Sequence, residues 1–104
     1  MLKVWIDDMR PAPSEEYTHL ATTSWAINFI KIYKNNITEL NLDHDAGDFQ
    51  CYGGDYINIL NWMEQYEEAT GTRFTFTIKL HTMNPVARDN MMRIIKRRGW
   101  NHDF

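Results

Sequence analysis

The sequence predicts a single small α/β domain of 104 residues, built on a mostly parallel sheet of about four strands with three helices. Three observations predict it. Short runs of alternating apolar residues recur at Leu2–Ile6, Glu39–Leu42 and Phe74–Leu80. Segments of helical period separate them, which implies crossovers between parallel strands. Each run also stops at polar residues suited to chemistry: Asp7-Asp8, Asp43-His44-Asp45 and His81-Thr82. In open sheets of this kind, ligands bind beyond the carboxyl ends of the strands.

The elements follow in order. Leu2, Val4 and Ile6 alternate with Lys3 and Trp5, and the run ends at Asp7. Arg10-Pro11-Ala12-Pro13-Ser14 then precludes regular structure, because each proline lacks a donor and restricts its predecessor. Tyr17 to Thr22 reads as a short second strand. Ser24 is the expected N-cap of a helix whose Ala26, Phe29, Ile30 and Tyr33 share a face, closed by Asn35-Asn36. Glu39–Leu42 is the next strand, followed by a Gly- and Asp-rich loop from Ala46 to Gly54.

Asp55 is expected to cap a second helix. Its stripe is Tyr56, Leu60, Met63 and Glu67, flanked by Ile59, Trp62 and Tyr66, and Thr70-Gly71-Thr72 ends it. Phe74, Phe76, Ile78 and Leu80 then alternate with Thr75, Thr77 and Lys79 in the clearest strand of the chain. Asn84-Pro85 starts a third helix with the stripe Ala87, Met91, Ile94 and Ile95. Lys96, Arg97 and Arg98 suit its dipole as a solvated cap, and Gly99 stops it. Because the strands alternate rather than reading apolar throughout, one sheet face is expected to be thinly covered, with Trp5 on it. A homodimer or a partner domain would cover that face.

Composition bounds the function. Apolar residues make up 43% and aromatics 13%, which supports a packed core and argues against disorder. A net charge of −3 gives no basic field for duplex DNA. The lone Cys51 suits a reducing compartment, and the amino terminus lacks a secretory apolar run. No stretch reaches the roughly 20 apolar residues of a membrane span, so a cytoplasmic protein is expected.

Gathering Asp7, Asp8 and Asp43 is costly unless a cation or donors offset their repulsion. Hard carboxylate oxygens favour Mg²⁺ or Mn²⁺, with Asp45 as a further ligand or an organiser of its own loop. Thr82 and the amides at Asn84, at a helix start, suit a phosphate, although Thr82 would equally serve as a cap. Arg10 would clamp a phosphate or pair with Asp8 or Glu15. His44 and His81 are candidate general acids or bases, or hydrogen-bonded structural residues.

The stretches Leu2-Lys3-Val4-Trp5-Ile6-Asp7-Asp8-Met9-Arg10-Pro11, Leu42-Asp43-His44-Asp45 and His81-Thr82-Met83-Asn84-Pro85 together resemble the motifs of the cyclic-phosphate-processing receiver-like family. That family is related to the receiver domains of two-component signalling. The resemblance implies a truncated receiver-like (flavodoxin-like) fold lacking the last strand. It implies Mg²⁺ held by Asp7 and Asp8, a phosphoryl acceptor at Asp43, a metal-shell carbonyl at Asp45 and a phosphoryl-sensing hydroxyl at Thr82. The chain departs from receivers in two respects. It ends at Asn101-His102-Asp103-Phe104 with no room for a fifth strand and its lysine, and a proline-rich loop replaces the first helix.

The function so implied is metal-dependent hydrolysis of a cyclic phosphate, in a nucleotide or at an RNA 2′,3′-cyclic end. The catalytic candidates are Asp43, His44 and His81, and Asp43 is either metal ligand or nucleophile. The alternative is a non-catalytic Mg²⁺-binding phosphoacceptor module acting through a protein partner. A haloacid-dehalogenase-type phosphatase ranks last, because only about 60 residues follow Asp45.

Overall fold

The computed structural model describes residues 1–104. Four strands form one all-parallel sheet: β1 (Leu2–Ile6), β2 (Tyr17–Leu20), β3 (Ile37–Leu42) and β4 (Thr77–Leu80), in the order β2-β1-β3-β4. Three helices connect or follow them: α1 (Thr23–Tyr33), α2 (Ile57–Thr70) and α3 (Pro85–Arg98). The predicted α/β class and small receiver-like architecture are therefore present. β1 reaches β2 without a helix, through the proline-rich loop at residues 7–16. Beyond α3, the Ile78 N–H bonds the Asn101 carbonyl at 2.8 Å and Ile78 makes an isolated bridge with His102.

Period-2 alternation sorts the strand side chains into two environments. Val4, Ile6, Leu40, Leu42 and Ile78 join Ala26, Ile30, Ile59, Leu60, Met63, Met91 and Ile95 in one buried cluster, which seats the helices on the sheet. The alternate residues Lys3, Trp5, Tyr17, Glu39, Asn41 and Lys79 lie outside that cluster. They satisfy one another instead. Tyr17 donates to Glu39, Lys79 Nζ lies 3.0 Å from Glu39 Oε1, and Lys3 pairs with Glu16. The second face carries this polar and aromatic network, and Trp5 is buried beneath the loop after β1.

Several boundaries differ from expectation. Thr22, not Ser24, caps α1, accepting from Trp25 N at 3.0 Å; the Ser24 hydroxyl donates to the Tyr52 carbonyl instead. Asp55 does not cap α2. Its carboxylate is drawn back into the preceding loop, where it accepts from Ala46 N and Gln50 Nε2. Within that loop Gly47–Phe49 forms a short 3-10 turn.

β4 begins at Thr77 rather than Phe74 because side chains capture the backbone upstream. Phe74 N donates to Glu67 Oε2, and Asn101 Nδ2 donates to the Thr75 carbonyl. Asn84, Pro85 and Gly99 bound α3 as the sequence predicts. Its terminal arginines are not simply solvated. Arg97 pairs with Glu64, and Arg98 with Glu67 and Glu68, which ties α3 to α2. Trp100 is buried against Glu67, its indole N–H donating to Glu67 Oε1 at 3.0 Å. No helix is long and apolar enough to cross a membrane.

Candidate functional site

The parallel ladder continues one residue past the strand ends. Asp7 N bonds the Leu20 carbonyl, Asp43 N bonds the Ile6 carbonyl at 2.9 Å, and His81 N bonds the Leu42 carbonyl at 2.9 Å. These bonds align the three predicted strand-end residues. Ligand atoms of Asp7, Asp43 and His81 all lie within 4.8 Å of one another. This close grouping contains His81 where the sequence suggested Asp8.

Asp7 is buried. Its Oδ1 accepts from Met9 N at 2.9 Å and Arg10 N at 2.7 Å, and its Oδ2 lies 2.9 Å from His81 Nε2. Burial opposes ionisation, but the Met9 and Arg10 amides and His81 outweigh it and hold the carboxyl below its ordinary range. Asp8 is pushed the other way, by burial and then by the Asp7 and Asp43 carboxylates. A Cβ added at Gly47, whose φ is +54°, would sit 2.2 Å from Asp8 Oδ2, so the loop after β3 closes directly onto this carboxylate. Asp43 Oδ1 accepts from His44 N at 2.7 Å.

This donor set fits a hard divalent cation. The Asp7 and Asp43 carboxylates converge with His81, and Asp8 is destabilised in its charged form by burial and by those two carboxylates. Beneath them, the buried Tyr56 phenol donates to the Ala21 carbonyl at 2.7 Å. Burial and the Asp8, Asp7 and Asp43 charges push its pKa far up, so it stays protonated.

The two histidines differ in kind. His81 Nδ1 lies 2.7 Å from Asn41 Oδ1 and Nε2 faces Asp7, while the ring stacks on Trp5 with centroids 3.8 Å apart. Burial lowers its pKa and Asp7 partly restores it. His44 Nδ1 lies 2.7 Å from Asp45 Oδ1, and its Nε2 makes no hydrogen bond within the chain. His44, Asp45 and Asp55 form a second close group.

Around this centre, Arg10 Nη1 donates to the His81 carbonyl at 3.4 Å and forms no ion pair with Asp8 or Glu15. The Thr82 hydroxyl accepts from Asn84 N at 3.2 Å, and Asn84 Oδ1 accepts from Ala87 N at 3.1 Å as the N-cap of α3. Asn84 is thereby committed to its own helix, while Thr82 retains its hydroxyl proton. Trp5, His19, Asn41, Gly47 and Tyr56 support the site, and sequence reasoning did not place them there. His19 Nε2 lies 2.7 Å from the Asp7 carbonyl. For Trp5 and Asn41 a signal existed: both point to the same face as Asp7 and His81 by strand alternation.

The family model described as Cyclic-phosphate processing Receiver domain matches residues 2–97, a span that contains every residue of the site. No curated protein and no solved structure matches the chain.

Proposed function

The chain belongs to the cyclic-phosphate processing receiver domain family, and from that membership we propose that it hydrolyses a cyclic phosphate diester, in a nucleotide or at an RNA 2′,3′-cyclic end. The convergence of Asp7, Asp43 and His81 at the strand ends, beside the His44–Asp45 pair, carries the reading.

Asp7, Asp8, Asp43 and the Asp45 segment would hold Mg²⁺ or Mn²⁺. The ion would supply charge neutralisation at the phosphoryl oxygens and a more acidic water. The chain's own residues do the rest. Arg10, exposed and free of carboxylate partners, meets the negative phosphate oxygens. The Thr82 hydroxyl donates to the same group. In hydrolysis a water oxygen bonds to phosphorus, the ring P–O bond breaks, and one proton passes from water to the leaving oxygen. His44 suits that transfer because Asp45 holds Nδ1 and leaves Nε2 free. His81 has both nitrogens engaged and would have to break a bond to exchange a proton.

The test is incubation with Mn²⁺ or Mg²⁺ and a panel of cyclic mononucleotides and 2′,3′-cyclic RNA ends, with Asp43→Asn alongside. The expected result is turnover that needs both metal and Asp43, reduced at least about 100-fold in the variant. Phosphorylation of Asp43 by small acyl-phosphate donors, without diester turnover, would favour the phosphoacceptor module acting through a protein partner.

A further inference from the structure

The helix-free face of the sheet carries side chains that the acidic motifs leave without a role. Trp5, Asn41 and His81 project from β1, β3 and the end of β4, and Trp5 is paired in register with Asn41. Together with Asp7 and Arg10 they form a closed circuit. The Trp5 Nε1–H donates to the Arg10 carbonyl at 2.9 Å, and Arg10 N donates to Asp7 Oδ1 at 2.7 Å. Asp7 Oδ2 faces His81 Nε2 at 2.9 Å, and His81 Nδ1 faces Asn41 Oδ1 at 2.7 Å. The imidazole then lies parallel to the Trp5 indole, within 5°. Each ring nitrogen lies within hydrogen-bond distance of Asp7 or Asn41 and Trp5 covers one ring face, so the ring is restrained and helps, with the Met9 and Arg10 amides, to orient the carboxylate.

We propose that Trp5 and Asn41 are positioning residues that act through His81 to fix the Asp7 carboxylate for the divalent cation. The inference rests on the metal-site reading above. On this account the polar and aromatic side chains of the face opposite the helices form the outer support of the site. The histidines are also divided, His81 serving as an anchor and His44 remaining available for proton transfer.

Mn²⁺ affinity, read by electron paramagnetic resonance, tests this without any substrate. Asn41→Leu matches the side chain in size but removes the oxygen, and is expected to weaken Mn²⁺ binding about 10- to 100-fold. Asn41→Gln keeps an amide for the ring without adding charge and is expected to bind Mn²⁺ more tightly than Asn41→Leu, which a general loss of packing would not do. Trp5→Phe, lacking the indole N–H, should fall between them. If Asn41→Leu fails to fold, Asn41→Ser carries the same comparison. A folded Asn41→Leu or Asn41→Ser that binds Mn²⁺ as tightly as wild type overturns the proposal. Absence of Mn²⁺ binding by the wild type would instead remove the metal reading. The clamp is then judged by the ¹H–¹⁵N spectrum of the histidine rings. A His81 ring N–H that exchanges equally fast in wild type and Asn41→Leu shows that Asn41 does not hold the ring.

Discussion

Gly47→Ala offers a test of how closely the loop after β3 is fitted to the acidic site. Gly47 has φ +54°, a region that an L-residue enters at a cost of roughly 1 to 2 kcal/mol. The new methyl would also meet Asp8 Oδ2 at 2.2 Å and Asp8 Cγ at 3.2 Å. An ordinary contact is longer than 3.4 Å, so the carboxylate oxygen must retreat by more than the difference, 3.4 − 2.2 = 1.2 Å. The backbone cost alone predicts a fall in Tm of at least about 4 °C for a domain of this size. Displacement of Asp8 predicts Mn²⁺ binding weakened by at least about tenfold. Gly47→Asn separates the two effects. Asparagine tolerates the left-handed region but carries the same Cβ, so Tm should recover while Mn²⁺ affinity stays low. A double-mutant cycle with Asp8→Ala should show strong coupling, because the clash disappears with the side chain. Additive effects in that cycle, or wild-type Mn²⁺ affinity in Gly47→Ala, would refute the reasoning.

Other consequences can be measured directly. Glu67 is buried, which disfavours its charge. Bonds from Phe74 N, Arg98 and Trp100 outweigh that cost and hold its pKa below the usual glutamate range. A depressed folded pKa stabilises the protein above the unfolded value, and that stabilisation is lost as pH falls through the folded one. Glu67→Gln should therefore cost about 2 to 3 kcal/mol near neutrality, in urea unfolding, and the difference from wild type should shrink in acid. On the proposed hydrolysis, His44→Gln should lower kcat about 100-fold or more while leaving Mn²⁺ affinity intact. Thr22→Ala should destabilise by about 1 kcal/mol through loss of the α1 cap, whereas Ser24→Ala should leave helix capping unaffected.

The legibility of this protein in its sequence varied with the range of the interactions. Strands showed through period-2 alternation because one side of each residue pair enters a common core. That rule located Val4, Ile6, Leu40, Leu42 and Ile78 correctly. Helix ends set by backbone geometry alone, at Gly71 and Gly99, were equally visible. Caps were harder, because Thr22, Ser24 and Asp55 all carry suitable oxygens. Which one caps depends on what else lies within reach: the Tyr52 carbonyl claims Ser24, and the Ala46 amide claims Asp55. The start of β4 was misplaced for the same reason, since Glu67 and Asn101 capture backbone groups that a strand would otherwise use.

By itself the sequence placed Asp7, Asp43 and His81 at strand ends, because alternation marks where each run stops, and it predicted a mostly parallel sheet from the helical segments between strands. Only the tertiary structure decided how those residues divide their work. Whether a histidine faces protein groups at both nitrogens or at one, and whether His81 joins Asp7 and Asp43, depends on contacts between residues far apart in the chain, such as Asn41 with His81 and Gly47 with Asp8. Those contacts are set by sheet register and loop closure to within an ångström, a precision that residue spacing does not carry.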